Sequence, residues 1–427
     1  MRRLDTAQPD FDAAFRAFLD ERRGASADVD AAVAEIIEQV RVEGLAALLR
    51  LAKRFDGAEL DERTIRVTPE EIAAGAAQCS PDVVAALEFA ARRIRVYHER
   101  QKPADQSFVD ELGVELGWRW TPLDSVGVYV PGGRAAYPSS LLMNAVPAAV
   151  AGVGRIAMVT PPGRLEPAVL AAAKVAGVTE IWRVGGAQAI AALAHGAGPI
   201  APVDKIVGPG NAYVAAAKRR LYGVVGIDAL AGPSEIVVVS DGLSNPDWIA
   251  ADLLSQAEHD PAAQSILITD DTGFAADVER AIERQLQVLA TGETAAASWR
   301  EHGAVVIAPL DRSPELVDLI APEHVEFCVG DPESLADRVR HAGAIFLGRH
   351  TPEAIGDYLA GSNHVLPTNR AARFSSGLSV YEFLKRTSIV KCSPEAFARL
   401  GPATVVLAEA EGLPAHARAA AIRLGRD

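Results

Sequence analysis

Gln256 and His259 lie three positions apart near the end of a predicted helix. Residues at positions i and i+3 of a helix face the same way, so this amide oxygen and this imidazole can reach one metal ion. Imidazole is a common zinc ligand, whereas a Gln oxygen is neutral, hard and uncommon in that role. The alternative interpretation of the pair is an ordinary polar helix end.

Glu323 and His324 follow Pro322 just ahead of a predicted strand. Adjacent residues of a regular strand point to opposite faces, so both side chains reach one site only if the backbone bends at this junction. A carboxylate and an imidazole together can transfer protons near neutral pH. The alternative is a surface ion pair.

Further polar side chains follow the last predicted strand. Asp357, Asn363 and His364 cluster there, and His416 stands in the tail near Glu411. A single histidine in a tail is more commonly solvated than bound to a ligand.

Cys328 lies four residues after His324, so a Cys–His nucleophile must be considered. The cysteine falls inside an apolar strand, which favours a buried and inert thiol.

Two segments resemble a dinucleotide-binding fingerprint. Residues 152–157 (GVGRIA) lead into a strand instead of following one, which is the wrong order for this motif. Residues 208–211 (GPGN) lie between a strand and a helix, whose N-terminal N–H groups attract anions. Tyr213 is too large for the third glycine position, while Asp228 stands near the spacing of a ribose-binding acid. A ligand-binding turn and an ordinary tight turn both remain open.

Gly186 and Gln188 open a helix directly after another predicted strand, and Tyr129 ends a third strand. Open α/β sheets bind ligands at the carboxyl ends of their strands, so Gln188 and Tyr129 are candidates for cofactor contact. Either side chain could equally cap a turn.

From residue 125 onward, short apolar runs alternate with helical segments, a pattern typical of βαβ units on parallel sheets. The predicted strands cover residues 125–130, 155–160, 180–185, 205–207, 234–241, 265–269, 304–308, 324–329 and 343–348. The predicted fold class is therefore α/β, with two parallel-sheet domains.

The domain boundaries follow from the same pattern. Residues 26–124 are helical and need a sheet to pack on, so we expect them to join residues 242–376 in one discontinuous domain. Residues 125–241 then form a second domain inserted in the first. Residues 1–25 are predicted as an N-terminal helical arm and residues 377–427 as a C-terminal helical tail.

The composition excludes several classes of partner. The 427 residues carry 42 Lys and Arg against 56 Asp and Glu, a formal net charge of −14. Nucleic acid or an anionic membrane as main partner needs a net basic face. The first residues lack the apolar stretch of a secretory signal, and the run 141–159 is too interrupted for a membrane span. Three cysteines without CxxC spacing fit a reducing compartment, so we expect a cytoplasmic protein.

Nine segments, in order along nearly the whole chain, together resemble the histidinol dehydrogenase family. They are SVGVYVPGG, YPSSLLMNAVPA, VGGAQAIAALA, KIVGPGNAYVAAAK, DALAGPSEI, DLLSQAEHD, PEHVEF, IGDYLAGSNHVLPT and ARFSSGLSVYEFLKRTSIV. Each segment alone is modest, whereas nine in order are specific.

The resemblance implies oxidation of L-histidinol to L-histidine through L-histidinal, the last steps of histidine biosynthesis, with two NAD⁺ and one zinc ion per subunit. It implies that His324 is the general base, that Glu323 activates water, and that zinc orients the substrate. It also implies two incomplete Rossmann-like domains and a homodimer with a shared active site, in which the tail crosses to the partner subunit.

The resemblance further assigns residues to four kinds of contact. Zinc ligands fall on Gln256, His259, Asp357 and His416. The catalytic pair falls on Glu323 and His324. NAD contacts fall on Tyr129, Gln188 and Asn211. Substrate contacts fall on Ser234, His364 and Glu411, besides the catalytic pair and the zinc ligands. Asp228 receives no role.

Two alternatives stand beside this interpretation. One is a related zinc- and NAD-dependent dehydrogenase of another small alcohol, such as a sulfonated diol, because specificity can depend on few residues. The other is a catalytically silent binding protein on the same scaffold. The presence of Glu323, His324 and every expected ligand position argues against the silent protein.

Overall fold

The computed structural model describes residues 1–20, 27–132 and 137–426 of the chain. Within these ranges, no helix is both long and apolar enough to cross a membrane. The strands are Arg2–Asp5 (β1), Arg66–Val67 (β2), Gln106–Val109 (β3), Glu115–Pro122 (β4), Ser125–Tyr129 (β5), Arg155–Thr160 (β6), Glu180–Arg183 (β7), Lys205–Val207 (β8), Gly226–Ile227 (β9), Glu235–Ser240 (β10), Gln264–Thr269 (β11), Ala304–Ile307 (β12), His324–Cys328 (β13), Ala344–Leu347 (β14) and Leu384–Lys391 (β15).

Many helices begin at a residue whose side chain accepts a hydrogen bond from the first turn, as Asn245 does before the helix that starts at Pro246. The α-helices are Phe11–Asp20 (α1), Ala27–Glu43 (α2), Leu45–Asp56 (α3), Pro69–Ala76 (α4), Pro81–Glu99 (α5), Pro138–Ala151 (α6), Pro167–Ala176 (α7), Gly186–His195 (α8), Ala212–Leu221 (α9), Pro246–Ala257 (α10), Thr272–Leu286 (α11), Gly292–His302 (α12), Ser313–Ile320 (α13), Pro332–Ala336 (α14), Glu353–Tyr358 (α15), Pro394–Ala410 (α16) and Pro414–Arg423 (α17).

The first six-stranded sheet has the order β2-β7-β6-β5-β8-β9, and its pairs are parallel except β2 with β7. Alternate residues of β5 face opposite sides. Val126 and Val128 belong to the core formed with helices α4 to α7, whereas Tyr129 belongs to the core formed with α2, α3, α8 and α9. Because both faces are covered, these strands are almost continuously apolar.

The second six-stranded sheet has the order β1-β12-β11-β10-β13-β14, and all its pairs are parallel. Helices α10, α11 and α12 cover one face, while α1 and α13 cover the other. The predicted α/β fold class with two parallel sheets is thus confirmed.

The structure corrects two of the predicted boundaries. The sequence predicts that residues 234–241 end the inserted domain, but β10 pairs with β11 and β13 in the centre of the second sheet. The sequence also predicts that residues 26–124 pack with residues 242–376, but α2 to α5 pack on the first sheet. An apolar strand buried on both faces has the same pattern in either sheet, so the pattern does not say which sheet it joins.

The N-terminal arm contains a strand as well as the predicted helix. In β1, Arg2 pairs with Ala304 of β12. Phe11, Phe15 and Phe18 of α1 are buried in the core of the second sheet. The first sheet therefore lies, in sequence, between this arm and the rest of the second sheet. Residues 21–25 of the predicted arm lie outside the described residues.

The tail also differs from the prediction of helices alone. Strand β15 pairs antiparallel with β4, which pairs with β3, so the three form a small sheet. The residues of β15 are largely exposed, with Ile389 and Val390 among them. Helices α16 and α17 follow and pack on each other.

A cavity of about 880 Å³ lies between two sheet edges of opposite polarity. The loop 208–211, at the carboxyl end of β8, contributes Asn211. Ser234 just before β10 and His324 at the start of β13 come from the amino edge of the second sheet. The first sheet thus contributes the carboxyl ends of its strands, which are the usual location of ligand sites in α/β folds. The second sheet contributes the amino ends of its strands.

Candidate active site

The cavity contains most of the candidate residues found in the sequence. Those along its wall are Asn211, Ser234, Gln256, His259, Glu323, His324, Asp357 and His364. Gln256 lies at the end of α10, and Asp357 lies on α15. His364 lies in the loop after α15.

His324 is buried, and its two ring nitrogens have different surroundings. Nδ1 lies 3.1 Å from the main-chain oxygen of Glu235. A carbonyl oxygen only accepts, so this contact favours the tautomer in which Nδ1 carries the proton and Nε2 keeps its lone pair. Nε2 lies 3.7 Å from Asp357 Oδ1 and has no hydrogen-bond partner among the described residues. Burial lowers the pKa of His324 to about 3, so the ring is a neutral base.

Glu323 reaches the same cavity because the chain bends before β13. Ala321 ends α13 with a φ of +50°, and the strand begins only at His324. Glu323 Oε2 accepts a hydrogen bond from the N–H of Glu235 at 3.0 Å and lies 3.8 Å from His324 Nδ1. Burial, followed by the nearby Glu235 and Asp357 carboxylates, raises the pKa of Glu323 well above its ordinary value. The bend that the sequence requires for this pair is present.

Gln256 and His259 both contact the cavity at the end of α10. Gln256 is buried, and its Nε2 lies 3.3 Å from His324 Nδ1. The helix ends at Ala257, and the N–H of His259 donates to the Gln256 carbonyl at 3.3 Å. The residue His259 is exposed at the rim, yet desolvation of its ring lowers the pKa of the imidazole. A neutral imidazole keeps one ring nitrogen without a proton, so His259 is able to bind a metal through that nitrogen.

Glu353 is a site residue that sequence reasoning missed. It precedes Asp357 by four residues on α15, and an i, i+4 pair of acids on a short helix was the available signal. Glu353 is buried, with Oε1 at 3.5 Å from His324 Nδ1 and Oε2 without a hydrogen-bond partner among the described residues. Burial raises the pKa of Glu353 well above its ordinary value and that of Asp357 to about 7.

His324, Glu353 and Asp357 each offer a ligand atom within 4.8 Å of the others. Asp357 lies on the same cavity wall as Gln256 and His259, so the cavity holds several oxygen and nitrogen atoms that could contact one cation. Such a mixed set suits Zn²⁺ among other divalent ions.

His364 is held in a defined orientation on the cavity wall. Its Nδ1 lies 3.0 Å from the carbonyl oxygen of Asp357, and its Nε2 lies 3.4 Å from the Ser140 hydroxyl. Burial lowers the pKa of His364 to about 4. The adjacent Asn363 points elsewhere and donates to the carbonyl of Met143 at 2.6 Å, so it fixes this loop to α6.

The three candidate NAD contacts do not share one surface. Asn211 lines the cavity, and its side chain accepts hydrogen bonds from Tyr213 and Val214 at the start of α9. Tyr129 and Gln188 are buried and do not line the cavity. The Tyr129 hydroxyl instead accepts a hydrogen bond from the N–H of Gly186 at 3.1 Å, and burial raises its pKa.

Glu411 and His416 are exposed on the tail and do not line the cavity of their own chain. Cys328 is buried at the end of β13, and burial raises the pKa of its thiol. Its Sγ lies 3.8 Å from Glu326 Oε2, away from the cavity wall. This environment fits the inert thiol predicted from the sequence.

Comparison with known proteins gives the family. The profile described as histidinol dehydrogenase matches residues 19–424. The histidinol dehydrogenase of Caulobacter vibrioides is 76% identical over 424 residues, which cover 99% of each chain. That of Mesorhizobium japonicum is 61% identical with the same coverage.

A solved structure agrees in fold as well as in sequence. The crystal structure of histidinol dehydrogenase from Elizabethkingia anophelis superposes with a TM-score of 0.94 at 35% identity. The match covers 100% of this chain and 98% of that one. The chain described here therefore belongs to the histidinol dehydrogenase family, the NAD-dependent oxidoreductases of histidine biosynthesis.

Proposed function

We propose that the cavity between the two sheets carries out both oxidations of L-histidinol, first to L-histidinal and then to L-histidine, with two NAD⁺. The observation that carries this proposal is the pairing of a buried His324 with Glu323: Nε2 of the ring has no hydrogen-bond partner among the described residues, and Glu323 Oε2 lies 3.8 Å from the other ring nitrogen, Nδ1. One oxidation of an alcohol needs a base, and the next oxidation of an aldehyde also needs an activated water. This pair supplies both groups.

In the first oxidation, His324 Nε2 takes the proton of the substrate hydroxyl while a hydride leaves the same carbon. The proton on Nδ1 is held by the Glu235 carbonyl, so the ring accepts only at Nε2. Bound NAD⁺ serves as hydride acceptor in each oxidation. The ring is neutral before the reaction because burial depresses its pKa.

In the second oxidation, Glu323 directs a water molecule to the aldehyde carbon and takes one of its protons. Its Oε2 is fixed by the N–H of Glu235, which leaves Oε1 for the water. As the water adds, His324 returns its Nε2 proton to the carbonyl oxygen, which completes the hydrate and restores the neutral ring. His324 then accepts a hydroxyl proton of the hydrate as the second hydride leaves. The product is a carboxylate, so two hydrides and one water account for the four-electron change.

The described residues fit a bound zinc ion. Gln256, His259 and Asp357 contact one cavity and offer an amide oxygen, a neutral imidazole and a carboxylate. These are donors that zinc accepts, and they are the three of the four expected ligands that line the cavity of this chain. Zinc in this place would hold the imidazole and amine of the substrate and so orient the reacting carbon. Ser234 and His364 on the same wall are the proposed substrate contacts of this chain.

For NAD, the proposal uses Asn211 at the cavity together with Tyr129 and Gln188 at the carboxyl ends of β5 and β7. Tyr129 ends a strand of the first sheet, and Asn211 and Gln188 come shortly after two others, at the edge where dinucleotides usually bind. Since Tyr129 and Gln188 are buried, their contact with the cofactor requires the side chains around the turn at Gly186 to move.

We infer a homodimer with a shared site from the tail. Glu411 and His416 are the expected substrate and zinc contacts, yet both are exposed and away from the cavity of their own chain. The tail also exposes large apolar side chains, which are Ile389, Val390, Val406, Leu407, Leu413 and Ile422. An exposed apolar segment of this kind marks an interaction surface. We propose that this enzyme acts in the cytoplasm, in line with its three free cysteines.

The decisive experiment counts the NADH formed for each histidinol consumed. We expect about two, because both oxidations occur at one site. A ratio of one would show a simple alcohol dehydrogenase and overturn the proposal. Rates with a panel of small diols, measured beside histidinol, test the substrate assignment independently.

A further inference from the structure

Lys218 of α9 and Asp228 after β9 form a buried ion pair beside the loop 208–211. Lys218 Nζ lies 2.6 Å from Asp228 Oδ1, and the two side chains are only 3% and 5% exposed. The spacing of Asp228 from Gly208 suggests a ribose-binding acid, but Asp228 does not line the cavity. Its carboxylate instead contacts other groups of the protein, among them Lys218 Nζ.

Both members of the pair bind the main chain of Gly208. The N–H of Gly208 donates to Asp228 Oδ2 at 2.8 Å, and the Gly208 carbonyl accepts from Lys218 Nζ at 2.6 Å. Hydrogen bonds to charged groups are stronger than neutral ones, and burial leaves a broken pair without replacement partners. The two side chains thus fix both polar atoms of one residue.

The backbone of Gly208 makes such support necessary. Its φ of +106° lies in the region that residues with a side chain rarely adopt, and a Cβ would stand 2.2 Å from the carbonyl oxygen of Tyr129. The loop therefore turns closely against the end of β5. A small change of its conformation would move the residues that follow.

Those residues form part of the cavity wall. Pro209, Gly210 and Asn211 line the cavity, and Asn211 caps the helix that carries Lys218. Lys218 thus holds the loop from the same helix, less than two turns after the cap.

We propose that Lys218 and Asp228 are positioning residues for the nicotinamide cofactor, which they serve by setting the loop 208–211 and with it Asn211. This inference rests on the contact between Asn211 and NAD proposed above. Neither side chain touches the cofactor, so the pair acts through the loop alone.

The test compares the kinetics of Asp228→Asn with those of a matched control, Glu180→Gln. Glu180 pairs with Arg155 at 2.7 Å across the amino ends of β7 and β6 in the same sheet, and neither residue lines the cavity. We expect Asp228→Asn to raise the Kd for NAD⁺, measured by calorimetric titration without histidinol, and the KM for NAD⁺ by about tenfold, with much smaller changes in kcat and in the KM for histidinol. Glu180→Gln should leave all four constants near those of the parent enzyme. If Asp228→Asn does not fold, Lys218→Gln, which keeps an N–H donor, should show the same split.

Asn211→Ala separates the two proposals. A raised KM for NAD⁺ in Asn211→Ala, together with an unchanged one in Asp228→Asn, would overturn the positioning role and leave the cofactor contact standing. An unchanged KM in Asn211→Ala would overturn the contact and the positioning role with it. Equal effects of Asp228→Asn and Glu180→Gln would show a general loosening of the sheet and also overturn the proposal. We expect the double variant Asp228→Asn/Asn211→Ala to raise the KM for NAD⁺ by less than the product of the two single increases, because both residues act at one loop.

Discussion

His324 Nδ1 lies 3.1 Å from the carbonyl oxygen of Glu235, the first residue of the neighbouring strand β10. In this parallel pair His324 stands opposite Ile236, so the register of the sheet itself brings the carbonyl to the ring. The carbonyl selects the tautomer with Nε2 unprotonated. The chemical form of the proposed base is therefore a consequence of strand pairing.

Replacement of this base should separate catalysis from metal binding. We expect His324→Asn to lower kcat by about two to four orders of magnitude, the usual contribution of a general base. Zinc content, measured by elemental analysis, should stay at the level of the parent enzyme. His350 is exposed at the surface, so His350→Asn is the control and should keep full activity. Unchanged turnover in His324→Asn would remove the assigned role.

Glu323→Gln should affect the two oxidations unequally. The amide keeps a hydrogen-bond acceptor for the N–H of Glu235 but cannot take a proton from water. We therefore expect oxidation of histidinal to fall by about two orders of magnitude or more, while the first oxidation falls less. The count of NADH per histidinol in a single turnover should move from two towards one. Equal loss in both steps would contradict a role in water activation.

Metal analysis tests the donor set. We expect about one zinc per chain and loss of activity with a strong chelator, which added zinc reverses. Asp357→Asn should lower the zinc content at equal protein concentration. Asp247→Asn, an exposed acid on α10, should leave it unchanged. Full zinc content in Asp357→Asn would exclude this carboxylate as a ligand.

Subunit mixing tests the crossing of the tail. A His416→Ala chain is paired with a chain that carries both Glu323→Gln and His324→Asn. If the tail enters the partner's cavity, one of the two sites in the mixed dimer is free of substitutions, and about half of the parent activity should return. A purified heterodimer without activity would indicate that each chain closes its own site.

The N-terminal arm should matter for stability. Phe15 is 1% exposed in the core of the second sheet, so Phe15→Ala should cost about 3–5 kcal/mol in the free energy of unfolding. Phe55 is 51% exposed on α3, and Phe55→Ala should change stability by less than about 1 kcal/mol. Urea unfolding of both variants at one protein concentration provides the comparison. Similar losses of unfolding free energy in the two variants would show that the arm contributes little to stability.

The sequence predicts well those elements whose pattern is local. The strands from β5 to β14, except the two-residue β9, and the helix that starts after Asn245 follow from short apolar runs and a capping residue. The partner of a strand is a long-range property, however. Thus β10 looks like the last strand of the first sheet in sequence but hydrogen-bonds in the second, and β1 is too short and too polar to be recognised.

The candidate site divides in the same way. Glu323 and His324 are adjacent in sequence and need only one bend to share a cavity, so the pattern predicts them. The position of Glu353 beside His324 depends on the packing of α15, which the sequence pattern does not predict. Asp228 stands at the distance from Gly208 in sequence that a ligand-binding acid would have. This spacing does not predict its actual partners, which are Lys218 and the main chain of Gly208.

The pairing of β1 with β12 also sets the order in which the polypeptide can finish folding. Arg2 leaves the ribosome roughly 300 residues before Ala304, its partner in the sheet. At ordinary rates of synthesis this interval lasts about 15 to 60 s. During that time the three phenylalanines of α1 have no sheet to cover them, while the domain between can already fold. Completion of the second sheet is thus a late event of translation, and the nascent N-terminus is the segment that a chaperone would have to shield.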